Sequence, residues 1–328
     1  METGNIQLQF VEKIKEMIPQ GLSLVSELSD LIGISNDSAY RRIRGETSFT
    51  IEEIVKICKR YKISFDSFSN STSGTVTFYY DLITESEESF LKYLNTILQG
   101  MQRIKGTADG EIMYAAEDIP IFQLFNRPEL AAFKIFYWMK SVMNIPSLEK
   151  KKVDLSLVSD EIMNTGREML KIYKKIPSVE IWSDKTISSI LKQIDYYHES
   201  GMFNNKTDAL HICDVLQELL NDIQKQAEQS TKADIAGFEN NFMLYNCDIE
   251  MGNNCILVTA NKAKVVYLRH HTFNQLTTTN NVFCHESENW LKGLIKKSTL
   301  ISGVSEKQRY QFFQKAADAI ERLKASIK

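Results

Sequence analysis

The sequence predicts a mainly α-helical protein with an α+β part toward its C-terminal end. Three observations carry that expectation. Apolar residues between Leu22 and Glu46 recur at helical spacing on either side of a glycine, residues 76–235 keep a period near that of an α-helix, and around residue 240 the period drops to that of a strand. The expected division is an N-terminal module of four or five helices (1–68), a linker (69–75), a helical middle domain (76–235) and an α+β domain (236–328). The last is expected to be an antiparallel β-meander with two terminal helices, serving as sensor, dimerisation domain or both.

In the N-terminal module, Ile6, Phe10, Ile14 and Met17 form the stripe of a first helix. Ser23 is placed to cap a second helix carrying Leu24, Leu28 and Leu31, and Gly33 ends it as a residue that accepts positive φ. Ile34 fills the gap between helices. Ser35 then caps a helix from Asn36 to Arg44, closed by Gly45. Two short helices joined by a glycine-bearing turn make a helix-turn-helix. Thr50 and Glu53 form a capping box opening a fourth helix, with Ile51, Ile54, Val55, Cys58 and Tyr61 turned inward. Ser64 is placed to cap a brief fifth helix with Phe65 and Phe68.

At 100° per residue, Ala39 and Ile43 share the core side of the helix after the turn, and Arg41 lies opposite, flanked by Asp37, Ser38 and Arg44. Tyr40 and Arg42 sit on the shoulders. Arginine reads guanine bidentately in the major groove, and serine or asparagine reaches bases or phosphates. The candidate DNA-binding residues are therefore Ser35, Asn36, Asp37, Ser38, Tyr40, Arg41, Arg42 and Arg44, with Arg41 on a base and Arg42 reaching a phosphate at most. The plainer reading is a solvated helix that carries Arg-Arg-Ile-Arg. The glycine turn ahead of it argues for the first.

Residues 6–68 resemble the lambda-repressor/Cro-like helix-turn-helix family, with LSDLIGIS as first helix and turn and Ser38–Glu46 as second helix and exit. Ser29 matches the family's small residue in the first helix. Ala39 stands at the usual apolar position six residues after the turn glycine, and the next such position holds Arg42, with Ile43 one later. The resemblance implies a sequence-specific transcription regulator whose partner is double-stranded DNA. A two-fold homodimer is expected because one such module contacts only a few base pairs.

The whole-chain numbers limit that reading. A length of 328 residues suits two or three domains, and 43% hydrophobic with 25% charged residues describes a soluble globular protein. A net charge of −3 excludes a protein that coats nucleic acid over its whole surface. A local footprint must come from Arg41, Arg42 and Arg44, with Lys56, Lys59, Arg60 and Lys62 as further phosphate ligands. No basic leader precedes an apolar run, and the richest apolar stretch, PELAAFKIFYWMKSVM, is broken by Lys134 and Lys140. Five cysteines without framework spacing fit a reduced cytoplasm, so a cytoplasmic protein without membrane contact is expected.

Beyond the linker, Val76–Tyr80 is read as a short strand, and Ser86 opens a helix carrying Phe90, Leu91, Leu94, Ile97, Leu98 and Met101. Pro128 suits a first helical turn, and Leu130, Phe133, Ile135, Phe136, Trp138 and Met139 make residues 128–143 apolar almost all round. That is the spine of a core, with an aromatic ligand pocket as the functional alternative. Further helices are expected at 158–175, 184–200 and 207–230. No 34-residue self-similarity supports a tetratricopeptide array. Met243, Tyr245, Cys247 and Ile249 alternate, Gly252-Asn253 turns the chain into CILVTA, Asn261-Lys262 turns it into KVVYLRH, and a fourth strand is expected near Gln275–Thr279. Ser305 and Gln308 suggest a capping box. Phe313, Ala316, Ile320, Leu323 and Ile327 then form a seam two heptads long, which packs on the sheet or on a second copy.

Chemical signatures are thin. Cys247, Cys255, Cys284, His270, His271 and His285 invite a zinc site, but a hairpin pairing Ile249 with Ile256 would put Cys247 and Cys255 on opposite faces. Glu117-Asp118 before Pro120 is read as a solvated loop and Asp195 with His198 as a polar helix face. No glycine-rich phosphate loop, G-x-S-x-G or H-E-x-x-H occurs, so neither catalysis nor a cofactor is expected. A small molecule or peptide is the candidate effector. The rival readings are an interaction hub and an enzyme with a DNA-binding appendage.

Overall fold

A computed structural model of the chain describes residues 6–18, 22–61, 63, 65, 74–233 and 237–328. It divides into two compact units, Met1–Tyr79 and Tyr80–Lys328. The expected fifth-helix cap Ser64, Phe68 and linker residues 69–73 lie outside the described residues.

The first unit holds α1 (Ile6–Met17), α2 (Leu24–Ile32), α3 (Asn36–Ile43) and α4 (Ile51–Tyr61). Its core is Phe10, Val11, Ile14, Leu28, Ile32, Phe49, Ile57 and Ile63, with Leu24, Leu31, Ile34, Ile43, Ile54, Cys58 and Tyr61 packed on its edge. Two expected stripes are corrected in rotation. On α1, Val11 is buried while Ile6 and Met17 are exposed. On α4 the buried residue is Ile57, whereas Ile51 is 77% exposed and Val55 also faces solvent. The helix carries more apolar residues than its core-facing arc accepts, so spacing alone did not fix the arc.

The second unit contains β1 (Tyr79–Tyr80, at the boundary), α5 (Glu87–Lys105), β2 (Glu111–Ala116), α6 (Ile121–Leu124), α7 (Pro128–Tyr137), α8 (Asp160–Tyr173), β3 (Ser178–Trp182), α9 (Asp184–Glu199) and α10 (Lys206–Gln229). It continues with β4 (Phe242–Asn246), β5 (Cys255–Ala260), β6 (Ala263–His270), β7 (Asn274–Thr278), α11 (Asn281–Lys297), β8 (Thr299–Leu300) and α12 (Glu306–Ile327). The strands form one mixed sheet in the order β1-β7-β6-β5-β2-β3-β4-β8. β3 runs parallel to both β2 and β4, and helices connect each pair, as parallel neighbours require.

The mainly helical class with a C-terminal sheet holds, but the division at residue 235 does not. β2 and β3, from the expected helical middle domain, pair with β5 and β4 from beyond it. The meander is corrected too. β5, β6 and β7 form it, with positive φ at Asn261 and Lys262 in the tight turn. β4 pairs with β3 and β8, not with β5. The hairpin through Gly252-Asn253 therefore does not form, and Cys247, Cys255 and Cys284 share one apolar cluster with Ala115, Ile181, Leu257, Leu291 and Leu294. Among the described residues no group of three His, Cys, Asp or Glu is placed to hold a metal ion.

Strand alternation gives the sheet two apolar faces. Ile112, Tyr114, Trp182, Leu244 and Ile256 meet the large helical cluster, and α11 covers β5 and β6 from the other side. α7 is buried almost all round, as its composition predicts, and runs on into a π-helical turn at Trp138–Val142. The α12 seam is buried against α10 and α9 rather than on the sheet, which removes it as a dimer contact. Ser305 stands at its N-cap without a side-chain cap hydrogen bond, so the capping box is absent.

Charges lie inside this unit. Lys134 is wholly enclosed; its Nζ sits 2.5 Å from Asp118 Oδ2 and donates to Gln193 Oε1 at 3.0 Å. Asp118 is thus a buried ion-pair partner, not the solvated loop residue its neighbours suggested. Glu180, in the middle of β3, accepts from Tyr173 Oη and, at 2.7 Å, from Trp182 Nε1. Lys232 Nζ donates to Ile176 O at 2.7 Å and Ser178 Oγ at 2.6 Å, over the Tyr173 ring. Burial holds the Glu180 carboxyl above its usual range and draws the Lys232 ammonium down to about 7.

Candidate nucleic-acid interface

The turn between α2 and α3 forms as its residues dictate. Gly33 adopts φ 74°, and the N–H groups of Gly33 and Ile34 both donate to Ser29 O, at 2.9 and 3.1 Å. This is a left-handed helix stop, which a side chain with a Cβ would strain. Ser23 occupies the N-cap of α2, but its hydroxyl makes no cap hydrogen bond. Ser35 does cap α3: its Oγ accepts from Ser38 N at 3.3 Å and donates to Ser38 Oγ at 3.0 Å. Both hydroxyls are thereby engaged in starting the helix.

Ala39 is buried on the core side of α3 and Ile43 packs at the edge of the same cluster. Asp37, Arg41 and Arg44 point away from that side, Tyr40 lies on a shoulder and Asn36 stands at the helix start; all five are exposed. Arg44 Nε lies 3.2 Å from Glu46 Oε1, an exposed pair that gives way readily to another anion. The Arg41 guanidinium has no ion pair or hydrogen bond among the described residues, while its backbone oxygen accepts from Glu46 N at 2.8 Å.

Arg42 takes a different part from the phosphate contact expected of it. Its Nε and Nη2 each lie 2.9 Å from a Glu53 oxygen in a two-pronged pair, and Nη1 donates to Ser38 O at 3.3 Å. The side chain is 14% exposed. Glu53 also closes the expected capping box of α4, accepting from Thr50 N at 3.0 Å and donating its own N–H to Thr50 Oγ1 at 3.3 Å. One carboxylate therefore caps α4 and holds α3 by its arginine. Burial pushes the Glu53 carboxyl up, but the Arg42 and Thr50 hydrogen bonds and the arginine's charge outweigh it and leave it below the usual glutamate range. Arg42 is a brace of the module.

Gln7, absent from the expected set, supplies a second brace. Its Nε2 donates to Arg42 O at 2.7 Å and Thr47 O at 2.8 Å, and its Oε1 accepts from Phe49 N at 3.2 Å. A lone glutamine beside an apolar stripe gives no sequence signal for this. Lys56, Lys59 and Arg60 are exposed on α4, and Lys62 lies outside the described residues.

No helix among the described residues is long and apolar enough to cross a membrane. No curated protein and no solved structure matches the chain. The helix-turn-helix family model matches residues 13–68, which include α2, the Gly33 turn, α3 and α4. Such a domain supports a DNA-binding regulator in general terms. Residues 13–68 are thus a helix-turn-helix of the lambda repressor/Cro-like family.

Proposed function

We propose that the protein is a sequence-specific DNA-binding transcription regulator that places α3 in the major groove. The observation that carries this reading is the exposed face Asp37–Arg41–Arg44, flanked by Tyr40 and by Asn36 at the helix start, on a helix held by Arg42–Glu53 and Gln7. Arg41 is the base-reading residue and Arg44 the phosphate ligand. The backbone N–H groups at the start of α3 can take a second phosphate. The second unit serves as the regulatory part, assembles two copies on a two-fold site and takes no catalytic role.

The test is selection of a preferred site from random duplexes, followed by titrations at several salt concentrations. Arg41→Ala should cost about 1–3 kcal/mol on the selected site and relax preference at one base position. Arg44→Ala should weaken selected and random duplexes alike and make the salt slope shallower by about one unit per subunit. Arg322→Ala, on α12, should do neither. Retained affinity and preference in both Arg41→Ala and Arg44→Ala would remove this face as the reader. Light scattering on the full chain should report a dimer at tens of micromolar; a monomer both free and on the selected duplex would remove the two-fold assembly.

A further inference from the structure

A cleft opens in the second unit between α5 and the β5–β6–β7 meander. Ile97 and Met101 of α5 face Ile256, Val258 and Tyr267 across it, and its volume is about 100 Å³. It shares Tyr93, Ile256, Tyr267 and Gln275 with an adjoining space of about 50 Å³ that reaches Asp118, Trp138, Asn254 and Arg269. The first space is mainly apolar but also takes in Asp81, Thr96, Asn274 and Thr277, and the second, the more polar end, brings Asp118, Asn254 and Arg269 to its wall.

Two donors at the polar end lack acceptors among the described residues. The Trp138 side chain lines the space with its indole N–H buried and unbonded, and the residue is only 7% exposed. Buried donors are nearly always paired, so this one marks a place for an acceptor from outside the chain. The half-buried Arg269 guanidinium also has no ion pair or hydrogen bond among the described residues. The nearby Asp118 carboxylate is already committed to Lys134 Nζ and to Ile119 N–H at 3.0 Å. On its outer side Arg269 shares an open surface with Glu117, Lys192 and Lys185, the last paired with Glu250.

The apolar end has a matching feature. Gly100 lies inside α5, where a glycine weakens a helix, and it lines the cleft. A Cβ placed on it would meet nothing within 4 Å. Its missing side chain leaves room rather than making way for a neighbour.

We propose that this cleft is the effector site of the regulator and takes a small monocarboxylate with an apolar body. The carboxylate lies on Arg269 and the Trp138 N–H, and the body lies between α5 and the sheet. The effector role rests on the DNA-binding reading above; the binding itself does not.

Calorimetric titration of the full-length protein with butanoate, hexanoate, octanoate and 3-phenylpropanoate tests it, with hexanamide as the uncharged control. At least one acid should bind saturably at one site per chain, with hexanamide roughly tenfold or more weaker than hexanoate. Arg269→Gln should weaken the acid by a similar factor. Gly100→Leu fills the cleft and should abolish binding; circular dichroism and the melting temperature check that both variants fold. No saturable binding by any acid up to about 10 mM, or equal binding by acid and amide, overturns the site. So does unchanged binding in both variants. Acid binding with unaltered affinity for the selected duplex keeps the site and overturns its role as effector. Acid binding in a protein that binds no duplex overturns the DNA reading and leaves the site standing.

Discussion

The two units differ in how deeply they bury charge, although the second also carries exposed pairs such as Lys171–Glu168 and Lys315–Asp184. Among the described residues of the N-terminal module the Arg42–Glu53 pair is largely buried, Arg44–Glu46 is exposed, and Arg41, without an ion pair or hydrogen bond on its guanidinium, faces outward. In the second unit the Lys134–Asp118 pair is buried, and Glu180 and Lys232 are buried with uncharged hydrogen-bond partners. A surface pair adds little and is exchanged easily, whereas a buried one is costly to break because the survivor stays desolvated. The module thus leaves Arg41 at its surface, and the larger unit holds Lys134, Asp118, Glu180 and Lys232 in fixed buried contacts.

Breaking a buried pair should give the largest effect. Lys134→Met leaves Asp118 without its cation and should cost about 3–5 kcal/mol in denaturant unfolding of the second unit. Adding Asp118→Asn should recover part of that loss. No loss in the single variant would place this pair in the same class as the surface ones. Arg42→Ala comes next. It removes the two-pronged contact to Glu53 and should destabilise the module by about 2 kcal/mol, while Arg41→Ala stays within about 0.5 kcal/mol in the same melt. Equal losses in these adjacent arginines would erase the distinction between brace and reader.

The pH dependence is a finer version of the same test. Because the folded Glu53 carboxyl lies below its unfolded value of about 4.3, its stabilisation is fully present above that pH. It disappears as pH falls through the depressed folded value. In acid melts the difference between the parent protein and Glu53→Gln should therefore shrink steadily below about pH 4. A difference that stays constant down to pH 2 would mean the carboxylate does not hold Arg42. Smallest of all is Ile51→Ala, which should shift the melt by no more than about 0.5 kcal/mol, against about 2–5 kcal/mol for Ile57→Ala. A large loss at Ile51 would mean that it is covered in solution.

What could be read from the chain follows the range of the forces involved. The helix-turn-helix was legible because its signals are local: Gly33 needs a left-handed backbone, Ser35 caps the next turn, and Thr50 and Glu53 answer each other three residues apart. Helices α5 and α7 to α10 were legible from periodicity, whereas the four-residue α6 is too short to show one. Strands β2 and β3 were not, since EIMYAA and SVEIW are short and lack a clean apolar alternation, and β3, buried throughout, is interrupted by Glu180, whose partners come from β3 itself, α8 and α6. Without them the sheet order could not be drawn, so the boundary at 235 and the hairpin through Gly252 were misplaced. At the candidate interface, the exposed position of Arg41 followed from helical geometry. The capture of Arg42 depended on a carboxylate eleven residues away.

The interleaving of β2 and β3 with β4 and β5 has a consequence for how the chain is made. The N-terminal module has its own core within the first 63 residues, so it can fold while the rest is still being synthesised. The second unit cannot follow suit. β2 waits for β5, β3 waits for β4, and the exposed side of α10 waits for α12, which ends at Ile327. At roughly 5–20 residues per second, that wait is on the order of tens of seconds. During each round of synthesis the helix-turn-helix module is therefore complete before the larger unit, and a nascent chain passes through a period in which the first is folded and the second is not.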